Sequence, residues 1–289
     1  SGNGSGAGKD FEHKLMVCEV RKRLDDGVFK AELETRVPAL DGSVRTDDEF
    51  RLPAIGEIVD ALVEQDRRLL IFDGLTLTRP RGGKPLFAQL DAGEPWMVAG
   101  PMGCGKTTLL KTMASMLPAA GGRWGWKTKG LGRNGLAKIV AHELGFVGAE
   151  PALGLFGDTV ANEILFGAET RRTAQAGLSL LAGVLGQKEE TLARRAPWSL
   201  SRAEQVFTSL VAALVKGPAV LVLDEPAEGL DGKGMEILTL LLAEIGKRAV
   251  VLVATHEPFL LKRFSRRVAL GFENRGERGL AAKGDSVAG

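Results

Sequence analysis

The stretch that decides the fold is 96-WMVAGPMGCGKTTLLKTMASML-117. Residues 96–99 are a short apolar run, and 100-GPMGCGKTT-108 fits the pattern G-x-x-x-x-G-K-[ST] with Gly100, Gly105, Lys106 and Thr107 in register. Beyond it Leu109, Leu110, Met113, Met116 and Leu117 recur at helical spacing, which predicts a strand, a loop and then a helix over 107–117 with these five on its buried side. Glycines let the loop backbone curl until its N–H groups point inward, and the helix N-terminus adds about half a positive charge at the same point. Such a nest suits the phosphates of a nucleotide. Gly100, Pro101, Met102, Gly103, Cys104, Gly105 and Thr108 would surround them, Lys106 would reach the β and γ phosphates, and the Thr107 hydroxyl would ligate Mg²⁺. The bland alternative is a glycine-rich turn between a strand and a helix. In either case Cys104 reads as a small loop residue.

Working outward, 219-AVLVLDEP-226 is an apolar strand ending in two carboxylates, the first of which, Asp224, lies 118 residues beyond Lys106. An Asp that ends a strand beside a phosphate loop holds the Mg²⁺ shell, and an adjacent Glu can orient or deprotonate an attacking water. Asp224 and Glu225 suit these roles, unless both simply open a solvated turn. After 227-AEGLD-231 comes a further strand, 249-AVVLVATHEP-258, with His256 just past its end. A lone histidine is more often structural, but in this company His256 reads as a partner of a γ-phosphate or of its attacking water.

The remaining chain sets bounds. It has 289 residues, a net charge of +2, 44% hydrophobic and 26% charged side chains, which is ordinary soluble-globular composition for one large or two modest domains. Cys18 and Cys104 are far apart, so neither a disulfide framework nor a zinc site is indicated, and a reducing compartment fits. The longest apolar runs are five or six residues, far below the roughly 18 needed to cross a bilayer. Charges of both signs are interspersed without a basic face, so nucleic acid is not an expected partner. At the start, 1-SGNGSGAG-8 reads as a flexible linker or tag. Two period-2 stretches around Asp26-Gly27 predict a β-hairpin over 15–37, and Ile55, Ile58, Val59, Leu62 and Val63 predict an amphipathic helix over about 53–66. This N-terminal region, 9–68, is either an added docking module or a contribution to the next domain's sheet. From 69 to about 281 short apolar strands alternate with helical stretches, the mark of an α/β fold, and 282–289 are a tail.

The ordered set 100-GPMGCGKTT-108, 200-LSRAE-204, 219-AVLVLDEP-226, 227-AEGLD-231 and His256 resembles the ATP-binding-cassette (ABC) ATPases over about 69–281. The resemblance implies an α/β P-loop NTPase fold with an antiparallel β subdomain and a helical subdomain at about 150–215. It makes these segments similar to the family's Walker A loop, signature, Walker B strand, D-loop and switch histidine, and 266-RRVALGFENRG-276 similar to a C-terminal hairpin. It further implies ATP and Mg²⁺ as cofactors, with Lys106, Glu225 and His256 catalytic, and Thr107 and Asp224 at the metal. Two cassettes then sandwich two ATPs, each held by one subunit's P-loop and the other's signature, and transmembrane permease subunits dock on the helical subdomain. The chain would lie in the cytoplasm or an organelle stroma or matrix, peripheral on the membrane through its permease.

Three positions depart from the family pattern. The family's glutamine aligns with Ala149 in 147-VGAEP-151. The signature, usually Leu-Ser-Gly-Gly-Gln, reads Leu200-Ser201-Arg202-Ala203-Glu204, keeping the Ser201 hydroxyl for a γ-phosphate while side chains replace two glycines. Arg202 there is either an added cation near the phosphates or an ordinary solvated helix start. The adenine-stacking aromatic aligns near Arg79, whose guanidinium can stack on a base, and the chain has no tyrosine. The chain's own nucleotide half-site is thus intact while its signature is altered. This predicts either a heterodimer with a second cassette whose signature is intact, or a slow homodimer. The leading function is the energising ATPase of a membrane transporter; the alternative is a soluble or regulatory ABC ATPase, against which the short 118-residue spacing weighs for the coiled-coil, DNA-organising kind.

Overall fold

The computed structural model describes Val59 and residues 69–79, 83–126, 143–168 and 170–271, all within one compact unit. The expected linker at 1–8, the hairpin over 15–37, the helix over 53–66 apart from Val59, and the tail at 282–289 lie outside the described residues.

Among the described residues, eight strands make two sheets. β1 (Leu70–Leu77), β2 (Leu86–Leu90) and β4 (Ala119–Trp126) form an antiparallel sheet in the order β2-β1-β4. β3 (Trp96–Ala99), β5 (Leu144–Val147), β6 (Val220–Asp224), β7 (Val250–Ala254) and β8 (Arg267–Ala269) form a parallel sheet in the order β5-β6-β7-β3-β8. β6 and β7 are buried along their whole length, which explains their uninterrupted apolar sequences: a parallel strand covered on both faces has no polar alternation to show.

The period-2 pleat sorts those side chains into two cores. Val220, Val222, Val250, Leu252 and Val98 join Leu70, Phe72, Leu75 and Leu90 of the antiparallel sheet and Leu109, Leu110 and Met113 of α1 (Lys106–Met113). Leu221, Leu223, Val251, Val253 and Met97 face the other way, toward a helical layer. That layer contains α2 (Val160–Gly167), α3 (Arg171–Leu185), α4 (Glu189–Ala193), α5 (Arg202–Leu214), α6 (Gly232–Gly246) and α7 (Pro258–Arg263). α2, α3 and α5 pack on one another, and Val59 is buried in the same core. Polar caps set the starts. Thr170 and Ser201 each open a capping box, on α3 and α5, and the Asp231 carboxylate accepts from Gly234 N at 2.7 Å to begin α6.

One expectation is corrected. The helix expected over 107–117 stops at Met113, because Ser115 takes φ +57° and breaks the helical register; Met116 is consequently 57% exposed instead of buried. The segment similar to a C-terminal hairpin, 266–276, is described only to residue 271; its first part supplies β8, a parallel edge strand beside β3, and the rest lies outside the described residues.

Candidate functional site

β3 and β6 flank β7 in the parallel sheet, so the loop after β3, the end of β6 and the loop after β7 meet at one carboxyl edge. In open α/β sheets this edge is where ligands bind. The loop after β3 is tightly wound: a Cβ on Gly100 would stand 2.5 Å from Cys104 Sγ and 2.6 Å from Leu270 O, so only glycine fits. Gly105 caps α1 at φ +105°, a backbone state that L side chains rarely adopt. Lys106 Nζ donates to Gly100 O at 3.1 Å, which spans the loop with the ammonium group. Pro101, Met102 and Gly103 form its exposed rim, Cys104 packs against Gly100, and Thr108 is half-buried in the first turn of α1.

Two pairs follow. Thr107 Oγ1 donates to Asp224 Oδ1 at 3.1 Å, joining the first turn of α1 to the end of β6. Asp224 is 2% exposed. Burial pushes its carboxyl above the usual carboxylate range and the charge of Glu225 adds to the rise, against the Thr107 hydroxyl and the charges of Lys111 and Lys106, which oppose it. A desolvated carboxylate beside a hydroxyl is a hard-oxygen donor set that a cation would relieve, and these residues fit Mg²⁺. In the second pair, Glu225 Oε1 lies 3.0 Å from His256 Nδ1, and Oε2 accepts from His256 N at 3.2 Å. The hydrogen bond and charge of Glu225 raise the pKa of His256, whose side chain is 80% exposed.

Glu225 itself carries a feature with no sequence signal. Its φ is +48°, and its N–H donates to Ala254 O of β7 at 2.8 Å. A non-glycine residue in this region costs about 1–3 kcal/mol, and such strain gathers at functional sites. The residue that follows, Pro226, favours extended backbone at its predecessor, so local sequence points away from the conformation that Glu225 adopts.

The structure therefore brings together Gly100–Thr108, Asp224, Glu225 and His256. Among the described residues, no hydrogen bond or ion pair joins Arg79 or Ser201 to this group. Arg79 is exposed beyond the end of β1, and Ser201 is exposed as the N-cap of α5, with its oxygen accepting from Glu204 N at 3.3 Å. Arg202 turns back into its own chain, where its guanidinium donates to Ala149 O at 2.8 Å.

Comparison with known proteins bears on the family and the fold. The family model described as ABC transporter matches residues 84–228, half of the chain. A provisionally named ABC transporter ATP-binding protein of Methanosarcina acetivorans is 29% identical over 204 residues, covering 66% of this chain and 74% of its own. Among solved structures, cbiO1 from Clostridium perfringens, described as part of the ABC transporter complex cbiONQ, superposes with a TM-score of 0.58 at 24% identity, over 71% of this chain and 85% of that one. A dimeric bacterial ABC transporter cassette superposes at 0.57 and 22% identity, over 70% and 94%. At these identities the two structures speak for the fold, while the family match rests on the sequence that carries the loop and both carboxylates. The chain belongs to the ABC transporter family, as an ATP-binding-cassette ATPase.

Proposed function

We propose that this chain is the ATP-hydrolysing subunit that energises a membrane transporter, working face to face with a second cassette. The observation that carries the reading is the placement of the Thr107–Asp224 and Glu225–His256 pairs at adjoining strand ends beside one phosphate loop. The nest at 100–108 holds the phosphates of ATP, and Lys106 exchanges Gly100 O for them. Thr107 and Asp224 would hold Mg²⁺, which would supply positive charge against the phosphates. Glu225 accepts the proton of the attacking water as the new oxygen–phosphorus bond forms and the bond to the β-phosphate oxygen breaks. His256 holds that carboxylate through two contacts and faces solvent, where a terminal phosphate can meet it. Arg79 is the candidate for the adenine, and Ser201 for the partner's nucleotide.

A membrane partner is supported by surface chemistry and by the relatives. No described helix is long and apolar enough to cross a membrane. Leu153 and Phe156, on the segment after β5, and Phe166 on α2 are 78%, 58% and 55% exposed, an apolar surface suited to a permease's peripheral helices. The relative cbiO1 is itself part of a transporter complex, and another neighbour is dimeric. The chain would then sit on the cytoplasmic, stromal or matrix face of its membrane, held there by the permease.

The test is the Glu225→Gln chain. ATP uptake by calorimetry should persist while hydrolysis falls about 10²- to 10⁴-fold. No uptake by the folded wild-type chain, or an unchanged rate in the variant, would end the reading. Light scattering of the same variant with ATP separates the two assemblies: a doubled mass shows a homodimer, and an unchanged mass assigns the partner to a different cassette.

A further inference from the structure

Arg202 opens α5 one residue after Ser201, at a place where the family resemblance leads one to expect glycine. All three of its nitrogens are engaged within the chain. Nη2 donates to Ala149 O at 2.8 Å and to Glu228 Oε2 at 3.0 Å, Nη1 to Glu150 Oε2 at 3.3 Å, and Nε to Glu228 O at 3.3 Å. Ala149 and Glu150 follow β5; Glu228 belongs to the turn after β6, where its N–H donates to Glu225 O at 3.2 Å. Gly229 makes room for the stem, since a Cβ there would stand 2.9 Å from Arg202 Cδ. A planar fork with fixed donor directions can join four such acceptors on three residues, and a lysine cannot.

We propose that Arg202 is a positioning residue: it ties the Ser201 turn to the segment after β5 and to the turn that carries Glu225. The tie presets the exposed Ser201 edge relative to the chain's own nucleotide half-site. Its effect on assembly rests on the function proposed above, whereas the tie itself does not.

Two experiments test it. In the nucleotide-free chain, Arg202→Ala should speed hydrogen exchange at 150–153 and 228–230 by about fivefold or more, the size expected of partly exposed charge-assisted hydrogen bonds. Unchanged protection at both segments overturns the proposal. In the Glu225→Gln background, Arg202→Ala should raise the ATP concentration for half-maximal assembly by about five- to tenfold with calorimetric ATP uptake by the monomer unchanged. Glu228→Ala should give a similar rise, and the double variant should add little to either, because both remove one network. Arg202→Lys should not rescue. Full rescue by lysine, or an additive double variant, would mean that the charge acts outside this network and would overturn the proposal. Should the Glu225→Gln parent fail to take up ATP, the functional reading fails while hydrogen exchange still decides the tie.

Discussion

Glu204 occupies the last position of the altered signature, and its replacement by glutamine tests whether the start of α5 is held by charge. The carboxylate accepts from Arg195 at 2.5 Å and 3.2 Å, from Ser201 N at 2.7 Å and from Gln187 Nε2 at 2.6 Å. Burial alone would raise its pKa, but Arg195, the Ser201 amide, Gln187 and the Ser201 hydroxyl outweigh it and lower it from the ordinary 4.5 to about 2. If the unfolded chain keeps the ordinary value, that difference sets an upper bound of about 3 kcal/mol on the charge's contribution. The side chain is 16% exposed and that of Arg195 is 29% exposed, so solvent screening reduces the expected loss in Glu204→Gln to about 1–2 kcal/mol. For a unit of this size the loss corresponds to a Tm lower by about 2–8 °C at pH 7. The sign follows from a depressed carboxylate: the stabilisation is complete above the unfolded value near 4.5 and disappears as pH falls toward about 2. Denaturant melts of both chains between pH 7 and 3.5 should therefore show a gap that is constant to about pH 5.5 and has lost about two fifths of its size at pH 3.5. A gap that stays constant across that range would refute the electrostatic origin.

The other expectations concern the site and its supports. Gly100→Ala should weaken ATP uptake about tenfold or more in calorimetry, because its Cβ would press on Leu270 O and Cys104 Sγ; wild-type affinity would contradict the close approach described for that loop. In histidine-edited NMR, His256 should titrate above its ordinary 6.5, staying protonated to higher pH, and should move back toward that value in Glu225→Gln; an equal midpoint in both chains would break the pairing argument. Glu163, 5% exposed, accepts from Phe156 N and Gly157 N at 2.6 Å each and so shapes the segment bearing the exposed Phe156. Glu163→Ala leaves both amides without an acceptor and should cost about 2–3 kcal/mol in denaturant melts, with Glu163→Gln clearly milder; equal losses would assign the cost to packing instead.

What could be read from the sequence was whatever depends on neighbours along the chain. The G-x-x-x-x-G-K-T pattern states a loop geometry by itself, because the glycine at φ +105° and the one pressed by Cys104 Sγ are needed whatever surrounds them. The apolar runs of β6 and β7 declared buried parallel strands for the same local reason, and with them an α/β fold. Local pattern failed where a single backbone angle overrode periodicity: Ser115 ends α1 early and turns Met116 outward, a choice that the alternation of apolar residues does not contain. The positive φ of Glu225 runs against the preference imposed by Pro226 and is sustained by a hydrogen bond to β7, 29 residues away in sequence. Arg202 was legible only as a side chain out of place; its partners lie 26 to 53 positions distant. Sequence alone determined which groups could do the chemistry, since residue type and short spacing carry donor, acceptor and backbone freedom. Only the tertiary structure decided which of them touch, because those contacts are made by strands and helices brought together through burial of two apolar cores that have no one-dimensional address.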